Sequence, residues 1–205
     1  MRASAASPLV SPRLTLRAFR GTDAHELLWL YQANRERLSD SFPNAVASLI
    51  DEDAARIYIQ SKAVEWEGRT GFWYGIVSRF TPSGPKLIGQ VQIKNVDWDL
   101  SRAEIGYLLA QEFEGRGLMS EALGLILETC FDSLGLNKVF LRTIVGNARS
   151  SKLAERFGFT KEGTLREEFL TLGRKRVDLD YFGMLSREFS GARRDALPRP
   201  VSDAP

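Results

Sequence analysis

The chain has 205 residues, 43% of them hydrophobic, enough to fill one core without requiring a second domain. Its 28 basic and 26 acidic residues are interspersed and leave a formal charge of +2, which excludes a basic footprint for nucleic acid. The single cysteine, Cys130, excludes an intramolecular disulfide and argues against a cysteine-ligated metal; no 18-residue apolar run exists to span a membrane, and Met1-Arg2-Ala3-Ser4 lacks the apolar core of a signal peptide.

A cytoplasmic protein with no metal, no nucleic-acid partner and no membrane partner is therefore expected. Residues 1–12 and 190–205 are rich in Ala, Ser, Pro and Arg, including Arg193, Arg194 and Arg199, and are read as flexible ends. Residues 13–189 remain for the folded domain.

In chain order, residues 13–19 alternate polar and apolar side chains and predict a half-buried strand. Thr22 and Asp23 offer an N-cap, with Glu26 spaced to close a capping box from Asp23. The helix that follows runs to about Asn34 and puts Ala24, Leu27, Leu28 and Tyr31 on one face. Residues 34–44 mix charge, aromatic and turn residues, either as a substrate-facing connection or as a solvated helix end. A second helix is predicted over residues 51–67, with Ala54, Ile57, Tyr58, Ser61 and Val64 at helical spacing.

The period then becomes strand-like. Residues 72–77 and 86–93 flank the turn 81–85 and predict an antiparallel hairpin, followed by a polar connection over 95–101 and a strand over 103–109. A helix is predicted over 120–134, capped by Gly135, and a strand over 138–145. Strand, helix and strand make a right-handed crossover with parallel strands. Asn147 caps a short helix over 148–157 that stops at Gly158, and residues 163–169 and 176–185 close the chain as a hairpin. The sum is one α/β domain with a mixed sheet, antiparallel at its start and end and parallel in the middle.

Between the strand and the helix of the crossover lies Glu114-Gly115-Arg116-Gly117-Leu118-Met119-Ser120. Two glycines one residue apart clear side chains from a turn, and the helix start adds unpaired N–H donors and a positive dipole end, a combination suited to phosphate. Glycine pairs also simply end strands, so the spacing alone leaves both readings open. A nucleotide P-loop is excluded, because Gly117 is followed by Leu118 and Met119; a dinucleotide fingerprint is excluded by Ser120 where a third glycine belongs.

Four motifs then occur in order: Glu104-Ile105-Gly106-Tyr107-Leu108, the turn from Glu114 to Met119, Asn147-Ala148-Arg149-Ser150, and Gly158-Phe159 with Glu162-Gly163. Over residues 13–188 they resemble the GNAT superfamily of acyl-coenzyme A-dependent N-acyltransferases, and within it the RimJ/RimL-type protein N-terminal acetyltransferases. The resemblance implies a mixed, mostly antiparallel sheet with a central splayed parallel strand pair flanked by helices. It also implies acetyl-CoA as cosubstrate, with its pyrophosphate on Glu114, Gly115, Arg116, Gly117, Leu118, Met119 and Ser120 and its pantetheine amides on Asn147. A backbone N–H around Leu109 would face the developing oxyanion. Glu114 and Met119 depart from the family's loop, which carries Gln or Arg and a small residue there. An acid beside a pyrophosphate is repulsive, so Glu114 is expected to point away or to pair with Arg116.

By the same resemblance the acceptor amine attacks the thioester directly, with Glu104 as base and Ser150 as the acid near the leaving sulfur. The plain structural alternatives are a strand carboxylate in solvent or paired with Arg102, and a second N-cap hydroxyl. The Tyr that many relatives carry seven residues after Asn147 is Ala154 here. Arg37, Phe42 and Trp73 are candidates to line the acceptor pocket, Trp73 equally a core residue. His25 reads as a surface residue and Cys130 as core. The expected reaction is acetyl transfer to the N-terminal α-amine of a protein or peptide. Alternatives are a small amine such as a polyamine, an amino acid or an antibiotic, a longer acyl-CoA donor, and a noncatalytic acyl-CoA-binding protein. Dimerisation is common in the family and no residue pattern tests it.

Overall fold

The computed structural model describes residues 7–82 and 84–192. Ser83 of the predicted turn, and Arg193, Arg194 and Arg199 of the predicted tail, lie outside the described residues. Eight strands form one sheet: β1 Leu9–Val10, β2 Leu14–Ala18, β3 Phe72–Ser78, β4 Lys86–Asp97, β5 Arg102–Leu109, β6 Lys138–Ile144, β7 Thr160–Leu170 and β8 Arg176–Leu185. Their order is β1-β2-β3-β4-β5-β6-β8-β7, and among the paired strands only β5 and β6 are parallel. The expected mixed, mostly antiparallel architecture is therefore present.

Helices α1 Ala24–Ala33, α2 Arg35–Leu38, α3 Pro43–Ser48 and α4 Glu52–Glu67 pack on one face of the sheet through Leu27, Leu30, Leu38, Val46 and Ile59. Helices α5 Leu118–Glu128 and α6 Ala148–Arg156 cover the other through Leu123, Ile126, Leu127 and Leu153. A final helix, α7 Ser186–Ala192, follows β8. Each face thus has its own apolar core, and residues alternating along the strands feed one or the other.

Several local expectations are corrected. Residues 9 and 10 pair with Leu16 and Thr15 in the sheet, and Ser186–Ala192 is helical, so the ordered domain extends past both predicted limits. No capping box forms at α1: Asp23 instead accepts from the Arg20 N–H and both terminal nitrogens of Arg17, and Glu26 accepts from the Leu87 N–H at 2.9 Å. In α4 the predicted stripe is rotated, since Ile57 and Val64 are 66% and 68% exposed while Ala55 and Ile59 are buried. Asp51 does cap it, accepting from the Ala54 N–H at 2.8 Å. The residues 34–44 read as connection fold into α2 and the start of α3, with Pro43 in the first turn of α3, where its missing N–H costs nothing. The predicted polar connection begins later, because β4 continues to Asp97 past Asn95, which has φ 50°.

What matters for the site is how β5 leaves β6. Parallel pairing covers three positions, ending at Glu104 opposite Phe140, yet the strands continue to Leu109 and Ile144. β6 turns to β8 for all seven of its residues, while β5 stays with β4. Beyond Glu104 the two strands diverge, and the sheet opens between them.

Candidate active site

The opening is bordered on the β5 side by backbone. Ala110 donates to the Ile88 carbonyl at 2.8 Å, and the alternation of an antiparallel ladder then turns the N–H and C=O of Leu109 away from β4, toward the side β6 has left. The Leu109 carbonyl meets Arg37 Nη2 at 2.7 Å.

Past β5, a short turn of 3-10 helix leads to Gly115 and Gly117, with φ 75° and 73°. Both are in the left-handed region, where a side chain is strained, so glycine is required by conformation; around Gly115 there is otherwise open space. Gly117 is the N-cap of α5, so the N–H groups of the first turn point out over the turn. From beneath, Arg13 braces it, donating to the Arg116 carbonyl at 2.9 Å and pairing with Glu121 at 2.7 Å.

A groove of about 870 Å³ runs from this turn to α6. Of the predicted cosubstrate residues, Leu109, Glu114, Gly115, Gly117, Leu118, Met119, Ser120 and Asn147 all line it, as does Ser150. Arg116 does not: its guanidinium lies over the Phe113 ring, 5.7 Å from the centroid. The expected partner of Glu114 is corrected accordingly. Glu114 pairs with Arg37 Nη1 at 2.5 Å and with Arg149, joining α2 to α6 across the turn. Ser120 accepts from Arg156. Arg149, which stands in the third motif without an assigned role, and Arg156, which stands in none, thus bring two guanidinium groups to the wall of the groove. The signal was their seven-residue spacing, which puts both on one face of α6.

A second, narrower pocket of about 100 Å³ ends at Glu104. Residues 104 and 107 point to opposite faces of β5, so Glu104 faces the α1–α4 side and Tyr107 the α6 side. Glu104 is 4% exposed, and its Oε2 accepts from Asn95 at 2.7 Å and Arg142 at 2.8 Å, while Lys94 Nζ lies 3.3 Å from Oε1. The alternatives of a solvent-facing carboxylate or a pair with Arg102 are both excluded, Arg102 lying 3.4 Å from Asp97 instead. Gly106, next but one along that face, leaves room for Gln92, whose Nε2 would sit 2.6 Å from an added Cβ.

Five residues line both the groove and the pocket: Ser41, Phe42, Tyr107, Asn147 and Ser150. They mark where the groove and the pocket meet. Asn147 Oδ1 accepts from the Ser150 N–H at 3.2 Å, so Asn147 is the N-cap, and it lines both cavities. The Tyr107 hydroxyl is 3.5 Å from the Ser150 carbonyl, and burial raises its pKa to about 12.

Other predicted residues lie apart. Trp73 lines neither cavity; its Nε1 donates to Glu65 at 2.7 Å, Tyr58 meets it edge-on and Lys62 stands 4.0 Å from its ring centre. Arg37 is in the groove, but its guanidinium is taken by Leu109, Glu114 and Asn34. His25 is exposed, 3.7 Å from Glu52. Cys130 is buried in the core under α5, and burial pushes its thiol up. Among the described residues no group of three or more His, Cys, Asp or Glu is arranged to hold a metal ion, and no helix is long and apolar enough to cross a membrane.

Comparison with known proteins places the chain in a family. Residues 13–160 match the family model described as an acetyltransferase (GNAT) domain. YdaF of Bacillus subtilis, named as a candidate ribosomal N-acetyltransferase, is 31% identical over 184 residues, which cover 90% of this chain and 97% of that one. The ribosomal protein uS5-alanine N-acetyltransferase of Escherichia coli is 27% identical over 180 residues, covering 82% of this chain and 86% of that one. The solved structure of RimL, a ribosomal L7/L12 α-N-protein acetyltransferase in complex with coenzyme A, superposes with a TM-score of 0.76 at 22% identity over 87% of this chain and 98% of that one. The chain belongs to the GNAT family of N-acetyltransferases and resembles its ribosomal-protein-modifying, RimJ/RimL-type members.

Proposed function

We propose that this protein transfers the acetyl group of acetyl-CoA to the N-terminal α-amine of a protein or peptide, by direct attack of the amine on the thioester. The observation that carries this reading is the meeting of the two cavities at Ser41, Phe42, Tyr107, Asn147 and Ser150. The groove side fits coenzyme A in its chemistry: backbone donors at a helix N-terminus and two guanidinium groups for phosphates, then a wall of strand backbone and the Asn147 amide for the pantetheine amides. Acetyl-CoA supplies an activated acyl carbon; the chain supplies position, proton transfer and charge stabilisation.

On the acceptor side Glu104 is the base and takes the amine's proton directly or through one water. The Leu109 N–H, turned toward the opening, faces the charge that develops on the acyl oxygen. Ser150, at the start of α6, lies on the leaving-group side. Phe42 closes the acceptor pocket from the α2–α3 connection.

The choice of acceptor follows from size and charge. About 100 Å³ admits one small terminal residue rather than a long chain. Glu104 is the one carboxylate lining that pocket, and Lys94 and Arg142 already compensate it, so nothing is left to hold the second ammonium of a polyamine. A terminal residue such as Ala or Ser suits this space, in keeping with the acceptors named for similar proteins. Incubation with acetyl-CoA and separate panels of peptides and small amines, read by intact mass of the products, tests it. Acetylation of peptides bearing small N-terminal residues is expected; acetylation of small amines alone overturns the acceptor assignment, and succinyl transfer in place of acetyl overturns the donor.

A further inference from the structure

Tyr107 has no part in the assignments above, yet it occupies the position where the two cavities join. Its side chain lies on the face of β5 opposite Glu104, toward α6, and lines both the groove and the pocket. As a donor the hydroxyl has one weak acceptor, the Ser150 carbonyl at 3.5 Å, which is at the limit of a hydrogen bond, and the Ser150 side chain hydrogen-bonds to it as well. A sheltered hydroxyl so loosely held is free to turn its proton toward another acceptor, and such a group normally finds one.

The reaction supplies that acceptor. As the amine nitrogen forms its bond to the acyl carbon, the C–S bond breaks with its electron pair going to sulfur. The amine's proton goes to Glu104, and sulfur departs as a thiolate that takes its proton from water. On the reading above Ser150 lies on the leaving-group side, and the Tyr107 hydroxyl stands beside it where the groove joins the pocket.

We infer that the Tyr107 hydroxyl is a catalytic hydrogen-bond donor to the departing sulfur, stabilising negative charge from the face opposite the base. The inference rests on the proposed acetyl transfer. Its raised pKa fixes the kind of help it gives: at about 12 the phenol remains neutral throughout the working pH range. A thiol of ordinary acidity, near about 8.5, does not pull the proton from it, so Tyr107 stabilises charge by hydrogen bonding and not by proton transfer.

The test is Tyr107→Phe in the full chain, which keeps the ring and removes the oxygen. The expected result is a fall in kcat of about tenfold to a hundredfold, with the Kd for coenzyme A and the Tm little changed. Because no proton is transferred, the ratio of wild-type to variant kcat stays flat from pH 7 to about 9.5. Replacement of Tyr107 by 3,5-difluorotyrosine, which retains a stronger donor, restores the rate. An unchanged kcat, a loss that appears in coenzyme A binding or in Tm instead, a ratio that varies with pH, or failure of the fluorinated residue to restore activity each overturns the inference. Turnover by the unaltered chain is measured alongside: if it transfers acetyl and Tyr107→Phe matches it, this inference alone fails, and if it transfers none, the reading beneath it fails as well.

Discussion

Glu104→Gln separates the chemistry of the acceptor pocket from its architecture. Gln keeps the size of the side chain and one acceptor for Asn95 or Arg142, but removes the charge that holds Arg142 at 2.8 Å and Lys94 at 3.3 Å. Losing general-base catalysis lowers kcat by about 10²- to 10⁴-fold, or about 3–5 kcal/mol of barrier. Weakening charged hydrogen bonds at a buried position costs about 2 kcal/mol of stability, which lowers the Tm of a chain this size by about 4–8 °C. The two effects are read separately, by coenzyme A thiol release at 25 °C and by thermal melting. A further sign belongs to the base alone. Without Glu104 the rate follows the fraction of acceptor already deprotonated, so it rises about tenfold per pH unit up to the α-amine pKa near 8. A variant that melts lower but keeps kcat within threefold of wild type at pH 7 refutes the assignment and leaves Glu104 as the counter-ion that orders Lys94 and Arg142.

Three further outcomes follow from the contacts around the groove. Glu114→Gln removes the negative charge beside the glycine turn and frees Arg149, so coenzyme A binds about three- to tenfold more tightly, with a steeper salt dependence, by calorimetry at two ionic strengths; weaker binding would show that Glu114 chiefly orders Arg37 and Arg149. Burial opposes the charge of Glu121, but the Ser11 hydroxyl, the Arg13 N–H and the Arg13 guanidinium outweigh it and hold its pKa below the usual value. A depressed carboxylate stabilises the fold above its unfolded pKa, about 4.3, and the contribution disappears as the pH falls through the folded value. Glu121→Gln is therefore less stable than wild type at pH 7, and the two converge toward pH 3 in denaturant midpoints; parallel curves would contradict this. Cys130, buried with its thiol held protonated, reacts with a disulfide reagent only on unfolding, and fast labelling of the native chain would show that the α5 face opens.

The strands and long helices were legible because period and turn residues are local signals. Where a local signal competed with a distant partner, the partner won. Asp23 and Glu26 have the spacing of a capping box, yet Arg17 and the Leu87 N–H take their carboxylates. In α4, Ile57 and Val64 are apolar at helical spacing, but α4 turns Ala55 and Ile59 into the core they share with Leu27 and Leu30 of α1. The site shows the same division. The glycine turn, Asn147 and Ser150 are legible as motifs and line one groove, whereas the partners of Glu114 lie 77 and 35 residues away and no local pattern connects them. For Trp73 the sequence leaves acceptor pocket and core equally open, and the fold gives it to Glu65 and Lys62.

The divergence of β5 from β6 after three paired positions has a consequence for how the protein tolerates mutation. A cosubstrate read by strand N–H and C=O groups is read by atoms every residue shares, and most substitutions along β5 leave those atoms where they are. On the proposed reading, the β5 wall of the donor groove is thereby insulated from drift in side-chain identity, unlike Gly115, Gly117, Asn147, Arg149 and Arg156. The proposed acceptor pocket is not, since what Glu104, Lys94, Arg142 and Phe42 bring to its lining is their side chains. One changed codon there can alter which amine is accepted while the donor stays the same. A saturation library over both sets, selected first for coenzyme A binding and then for acceptor choice, would divide along that line.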